Sequence, residues 1–296
     1  MSEPPRQSDT SPSGVVNRPI VAMRGGDKTG LPESRSDPVT IEEPLEIRID
    51  DSPVAVAMRT PGDDFELVAG FLLTEGILAD PADLGALTYC PSATPPNELN
   101  VVEVRLAGDS DFDVEALRRN FYATSSCGVC GKASIDQVRL QSRRRPQAFT
   151  VADDTLLGLP DTLRGAQAQF ERTGSLHAAG LFDVDGSLLA LREDVGRHNA
   201  VDKLIGSFVL DGQWPPPASA LMVSGRTSFE IVQKALLAGL AFIASVSGPS
   251  SLAVDLADEA GLTLIGFLRH GGYNLYTHAQ RLLHQGAALT RVPTRR

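Results

Sequence analysis

Leu221-Met222-Val223-Ser224-Gly225-Arg226-Thr227-Ser228 runs into a helical stretch at 229–240, and Phe242-Ile243-Ala244-Ser245-Val246-Ser247-Gly248-Pro249-Ser250-Ser251 runs into another at 252–260. Both follow one plan: a short apolar strand, a turn of Ser, Gly and small hydroxyl residues, then a helix. Upstream, Glu193-Asp194-Val195-Gly196-Arg197-His198-Asn199 feeds a third helix over 200–210. Downstream, Thr263-Leu264-Ile265-Gly266-Phe267-Leu268-Arg269 is a last apolar strand, followed by His270-Gly271-Gly272 and 273–277. Strands alternating with helices predict an α/β layer with a largely parallel sheet.

Working outward, 177–182 and 188–192 read as a strand pair joined by the turn Asp183-Val184-Asp185-Gly186, behind a helix at 153–171. The other half is less regular. Two short strands fall within 40–60, a helix covers 65–73 and ends near Gly76, a second helix starts at Pro81, and 98–106 is a strand. Arg143-Arg144-Arg145-Pro146 marks a junction. Residues 1–39, rich in Pro, Ser, Gly and charge, read as a disordered leader. The expected organisation is therefore a leader (1–39), an N-terminal α+β part (40–146) and an α/β cofactor-binding domain (147–296).

The chain has 296 residues, 42% of them hydrophobic, enough for one large or two smaller cores. Its formal net charge of -10 argues against nucleic acid and membrane surfaces as partners. Three cysteines are too few for a disulfide framework. With neither a signal-like start nor a long apolar run, the expected location is the cytoplasm.

Two of those cysteines stand in Ser125-Ser126-Cys127-Gly128-Val129-Cys130-Gly131, with a helix expected from Lys132. A helix N-terminus and a nearby ammonium both favour thiolate. The spacing alone is compatible with half of a zinc site, a thioredoxin-like dithiol, a sulfur relay carrying persulfide, or two surface thiols. Cys90 reads as a packed or surface thiol. The Ser224-Gly225-Arg226 turn and the turn at Ser247 put free backbone N–H groups where helices start, and Arg226 and Arg269 add fixed positive charge. They suit a phosphate-bearing ligand; the plain alternative is N-capping by Ser and Thr. Glu193 to Asn199 could do acid–base work or bind a ligand, or could be a charged cap with Arg197 paired to Glu193 or Asp194. A zinc deaminase would need His-x-Glu followed by Pro-Cys-x-x-Cys, and His198-Asn199-Ala200 with the cysteines upstream excludes it.

Together, 125–131, 193–203, 224–230 and 267–278 resemble the formate dehydrogenase accessory sulfurtransferase family, in the family's order and over about residues 40 to 285. The resemblance implies a cytidine-deaminase-like three-layer fold without the deaminase zinc, and a homodimer. It implies that sulfur is taken from a cysteine desulfurase as a persulfide and passed to the molybdenum of the bis(molybdopterin guanine dinucleotide) cofactor, bound as substrate, for formate dehydrogenase. The persulfide cysteine falls on Cys127, with Cys130 as its partner. The cofactor-binding stretch falls on Phe267, Leu268, Arg269, His270, Gly271 and Gly272, and Ser224, Gly225, Arg226 and Ser247 join it from the turns. No structural metal is expected. Family members often carry a second Arg where Gly272 stands. The competing expectations are a zinc- or redox-linked binding protein and a non-catalytic molybdenum-cofactor chaperone.

Overall fold

The computed structural model describes residues 14–23, 32–95, 97–107 and 149–289. Three strands, β10 (Ala220–Val223), β11 (Phe242–Ser245) and β12 (Thr263–Arg269), lie parallel at the middle of a six-stranded sheet. All residues of β10 and β11 are buried, which is why their sequences are unbroken apolar runs: helices cover both faces. Side chains alternate between two cores. Leu221, Val223, Ile243 and Leu264 pack beneath α4 (Arg197–Leu210), α5 (Phe229–Leu237) and α6 (Ser251–Glu259). Ala220, Met222, Phe242, Ala244 and Ile265 pack against α2 (Asp153–Ala166) on the other side. The result is a three-layer α/β/α body.

The sheet is less parallel than the sequence suggests. Its order is β13-β12-β11-β10-β8-β9, with β8 (His177–Phe182), β9 (Leu188–Asp194) and β13 (Gly272–Thr277) all joined antiparallel. The short turns 183–186 and 270–271 explain the β8–β9 and β12–β13 joints. Each is too short for a crossover and forces a hairpin. The expected helix at 153–171 is split at Gln167 into α2 and a short α3 (Ala168–Thr173).

A second sheet, ordered β4-β3-β6-β5, lies at the N-terminal side: β3 (Glu43–Ile49), β4 (Ser52–Arg59), β5 (Leu84–Tyr89) and β6 (Val101–Leu106). One face is covered by α1 (Asp64–Thr74), with Leu45, Ile47, Val102 and Val104 against Leu67, Val68 and Leu72. The helix expected at Pro81 is a single 3₁₀ turn, Pro81–Asp83, capped by Asp80. The chain then pairs with β6 as β5, a strand whose weak apolar pattern hid it.

The two modules meet where α1 crosses α4. A Cβ on Gly70 would lie 1.9 Å from the Asp202 carbonyl oxygen, and one on Gly206 would lie 1.8 Å from that of Glu66. The helices therefore touch backbone to backbone. Buried charges lock the junction: Lys234 Nζ reaches Asp202 (2.9 Å), Glu75 (2.7 Å) and Thr74 Oγ1 (3.0 Å), and Thr74 donates to Asp202 (2.6 Å). Arg192 pairs with Glu66 across the same seam.

The expectation of a disordered leader over 1–39 is corrected in part. Val15–Ala22 (β1) and Glu33–Thr40 (β2) form an antiparallel ladder. Composition could not reveal it, because the pair is held by backbone hydrogen bonds and by anchoring elsewhere rather than by a core of its own. Thr40 Oγ1 bonds Thr173 and Ser175 Oγ (3.1 and 2.6 Å), and Ile41 N donates to Gly14 O (2.9 Å). A small three-stranded sheet of β7 (Val151–Ala152), β14 (Leu282–His284) and β15 (Ala287–Ala288), ordered β15-β14-β7, closes the fold. No helix among the described residues is long and apolar enough to cross a membrane.

Candidate functional site

The strand–turn–helix units open on one side of the main sheet. Beside the carboxyl ends of β10, β11 and β12 lies a cleft of about 630 Å³, the position where open α/β sheets bind ligands. Ser224, Val246, Leu268, Arg269 and His270 come to it from the strand ends, and Asp161, Arg164, Gln167 and Phe170 from α2 and α3. Its size is that of a small-molecule site. Four expected residues, Ser224, Leu268, Arg269 and His270, are thus gathered in one cavity. His177, at the start of β8, lines it too and escaped the sequence reading. The signal was available: it is the only ionisable side chain in the strand 177–182.

The remaining expected residues surround the cleft without lining it. Arg226 is exposed on the turn after β10. Ser247 offers its carbonyl oxygen to Phe267 N (3.2 Å) and Ser245 Oγ (2.7 Å). Phe267 sits in a β-bulge at φ 55, half-exposed, its ring packed over Gly248. Gly271 and Gly272 make the β12–β13 turn, and Gly272 has φ 148, a conformation that favours glycine over any larger residue. Cys127 and Cys130 lie outside the described residues.

The two Ser-Gly turns differ in chemistry. The Ser247 turn ends in an ordinary N-cap: Ser250 Oγ accepts from Ala253 N (3.3 Å) at the start of α6. The Ser224 turn does not. Ser224 Oγ accepts from Ala178 N (2.9 Å), and Ser228, at the N-cap of α5, bonds His198 Nε2 (3.0 Å) instead of capping its helix. Gly196, at the N-cap of α4, has no side chain to offer. Two helix N-termini therefore flank this turn without side-chain caps.

The acidic residues nearby are already committed. Glu193 accepts from Gln169 N and Phe170 N (2.9 and 2.8 Å), closing the N-terminus of α3. Asp194, fully buried, takes Lys203 Nζ (2.8 Å), Thr60 N and Gly196 N. Arg197 thus pairs with neither, which overturns the charged-cap alternative. Glu230 pairs with His198 (2.8 Å), and that hydrogen bond holds the Glu230 carboxyl below its ordinary value. Burial, then the charges of Arg197, His198 and Arg226, push His177 below the ordinary histidine range. The site can therefore hold an anion: neutral imidazole at the wall, with Arg197, Arg226 and Arg269 free of any carboxylate within ion-pair distance among the described residues.

Residues 40–283 match the profile of the FdhD/NarQ family. A protein named sulfur carrier protein FdhD from Streptomyces coelicolor is 52% identical over 88% of this chain and 94% of its own length. Its namesake from Mycobacterium tuberculosis is 54% identical over 84% of this chain and 93% of its own. The crystal structure of a candidate formate dehydrogenase accessory protein from Desulfotalea psychrophila superposes with a TM-score of 0.71 at 25% identity, covering 92% of this chain and all of that one.

Proposed function

The chain belongs to the FdhD/NarQ family, and from that premise we propose that it is a sulfurtransferase which carries sulfur as a persulfide to the molybdenum cofactor of formate dehydrogenase. The observation that carries the reading is the Cys127-Gly128-Val129-Cys130 motif in a chain half identical to proteins named sulfur carriers. Cys127 attacks the outer sulfur of a cysteine desulfurase persulfide. The donor cysteine leaves as thiolate, so the sulfur moves without net oxidation or reduction. The substrate that receives it is the bis(molybdopterin guanine dinucleotide) cofactor, a polyanion, held at the cleft beside Ser224, Arg226 and Arg269. The unpaired arginines and uncapped helix ends support that assignment, since both favour an anion. The reading has the protein act as a cytoplasmic homodimer, on a deaminase-type sheet that has lost the zinc motif.

The test is mass spectrometry after incubation with a cysteine desulfurase and cysteine. One added sulfur on Cys127 is the expected result, absent from Cys127→Ala. Formate dehydrogenase matured at the normal level by cells carrying only Cys127→Ala would overturn the reading. Formate dehydrogenase maturation that needs guanine-nucleotide binding but neither cysteine would assign a cofactor chaperone. Stoichiometric zinc lost on Cys130→Ser would assign a metal site.

A further inference from the structure

We infer that Arg197, reached past His177 at the wall of the cleft, is a binding residue for the phosphate groups of the ligand. The inference rests on the nucleotide-bearing substrate proposed above and names a residue that the binding stretch at 267–272 does not include.

Three observations carry it. First, Arg197 Nε is buried and has no hydrogen-bond partner, and the hydroxyl of Thr227, in the facing turn, is in the same state. A buried guanidinium N–H left unmatched costs the fold more than an ordinary hydrogen bond returns, so a donor kept in that state calls for an acceptor from outside. Second, the neighbouring carboxylates among the described residues are engaged elsewhere. Glu193 closes α3, Asp194 holds Lys203, and Glu230 holds His198. Third, the turn is shaped around it. A Cβ on Gly225 would lie 3.3 Å from His177 Nδ1 and 3.6 Å from Arg197 Cδ, so glycine brings the backbone of the turn against both side chains. His177 lines the cleft, and the adjoining Ser224 lines it too. The group therefore combines a planar cation with two helix ends that lack side-chain caps, an arrangement suited to phosphate oxygens.

Binding of GDP and of guanosine to the full-length chain, measured by calorimetry, tests the inference. The wild-type protein should prefer GDP. Arg197→Gln should weaken GDP binding by at least about tenfold while leaving guanosine unchanged. Arg197→Lys should recover part of the loss. Equal GDP affinity in Arg197→Gln and wild type would refute the role of Arg197 and leave the nucleotide cleft standing. If the wild type bound no GDP, the nucleotide reading itself would fall, and this inference with it. A second measurement avoids substitution: phenylglyoxal labelling of the wild-type chain, mapped by mass spectrometry. GDP, but not guanosine, should protect Arg197, and an unchanged labelling rate would overturn the inference even if Arg197→Gln failed to fold.

Discussion

His177 stands with its imidazole between a ligand cleft and a cationic cluster, and its protonation is set by what surrounds it. Burial and the charges of Arg197, His198 and Arg226 disfavour the imidazolium, and Asp194, its register partner on β9, only partly offsets them. The folded-state value is thus below 6.5, the ordinary histidine value. Above that pH both folded and unfolded chains carry neutral imidazole, and the residue has no effect on stability. As pH falls below it, the unfolded chain binds the proton first and the native state loses stability, until the folded value is passed. As pH falls below about 6.5, wild-type protein should therefore lose melting temperature more steeply than His177→Gln, as thermal scans would show. Superimposable profiles would refute this. A neighbouring residue shows what sequence alone could not reach. Arg197 lies close to two acids in the chain, so pairing and a ligand role stood equally open. Only the fold sends Glu193 to α3 and Asp194 to Lys203 and leaves the arginine unmatched.

At the scale of elements, β10, β11 and β12 were legible because strands covered on both faces read as unbroken apolar runs, and their turns announced the helices. The β8–β9 pair was legible from its turn as well; the edge strand β13, the β5 strand and the β1–β2 ladder were not. Their order comes from backbone pairing with the adjacent strand, as in β5 with β6, rather than from an apolar pattern of their own. The sequence also marked both Ser-Gly turns but could not tell the capped one from the uncapped one. That difference depends on whether Ser228 reaches its own helix or His198. The α1–α4 crossing gives the sharpest prediction of this kind. Gly70→Ala or Gly206→Ala would drive a methyl group into a carbonyl oxygen, and each should destabilise the protein by about 3 kcal/mol or more, read as a shift in urea midpoint. A change below about 0.5 kcal/mol would mean that the helices part easily, against the contact described.

Over the whole molecule, the N-terminal sheet and the α/β body share a seam in which charges are buried. Lys234 is held firmly protonated by Asp202 and Glu75 in spite of its burial. Lys234→Met would leave Asp202 buried without its counter-ion. The expected cost is about 3–5 kcal/mol, larger than for removing an exposed pair such as Arg164–Glu171. Denaturation monitored separately by Trp214 fluorescence and by circular dichroism should keep a single coincident transition in the wild type. Non-coincident transitions in Lys234→Met would show that this network couples the two modules.

The glycine contact between α1 and α4 bears on how such a molecule can be rebuilt. Recognition at that crossing is by main-chain shape, with Gly70 and Gly206 supplying clearance rather than side-chain chemistry. A chimera joining the N-terminal sheet of one relative to the α/β body of another should therefore assemble despite wide surface divergence, provided that both glycines and the Asp202–Lys234–Glu75 set come across together.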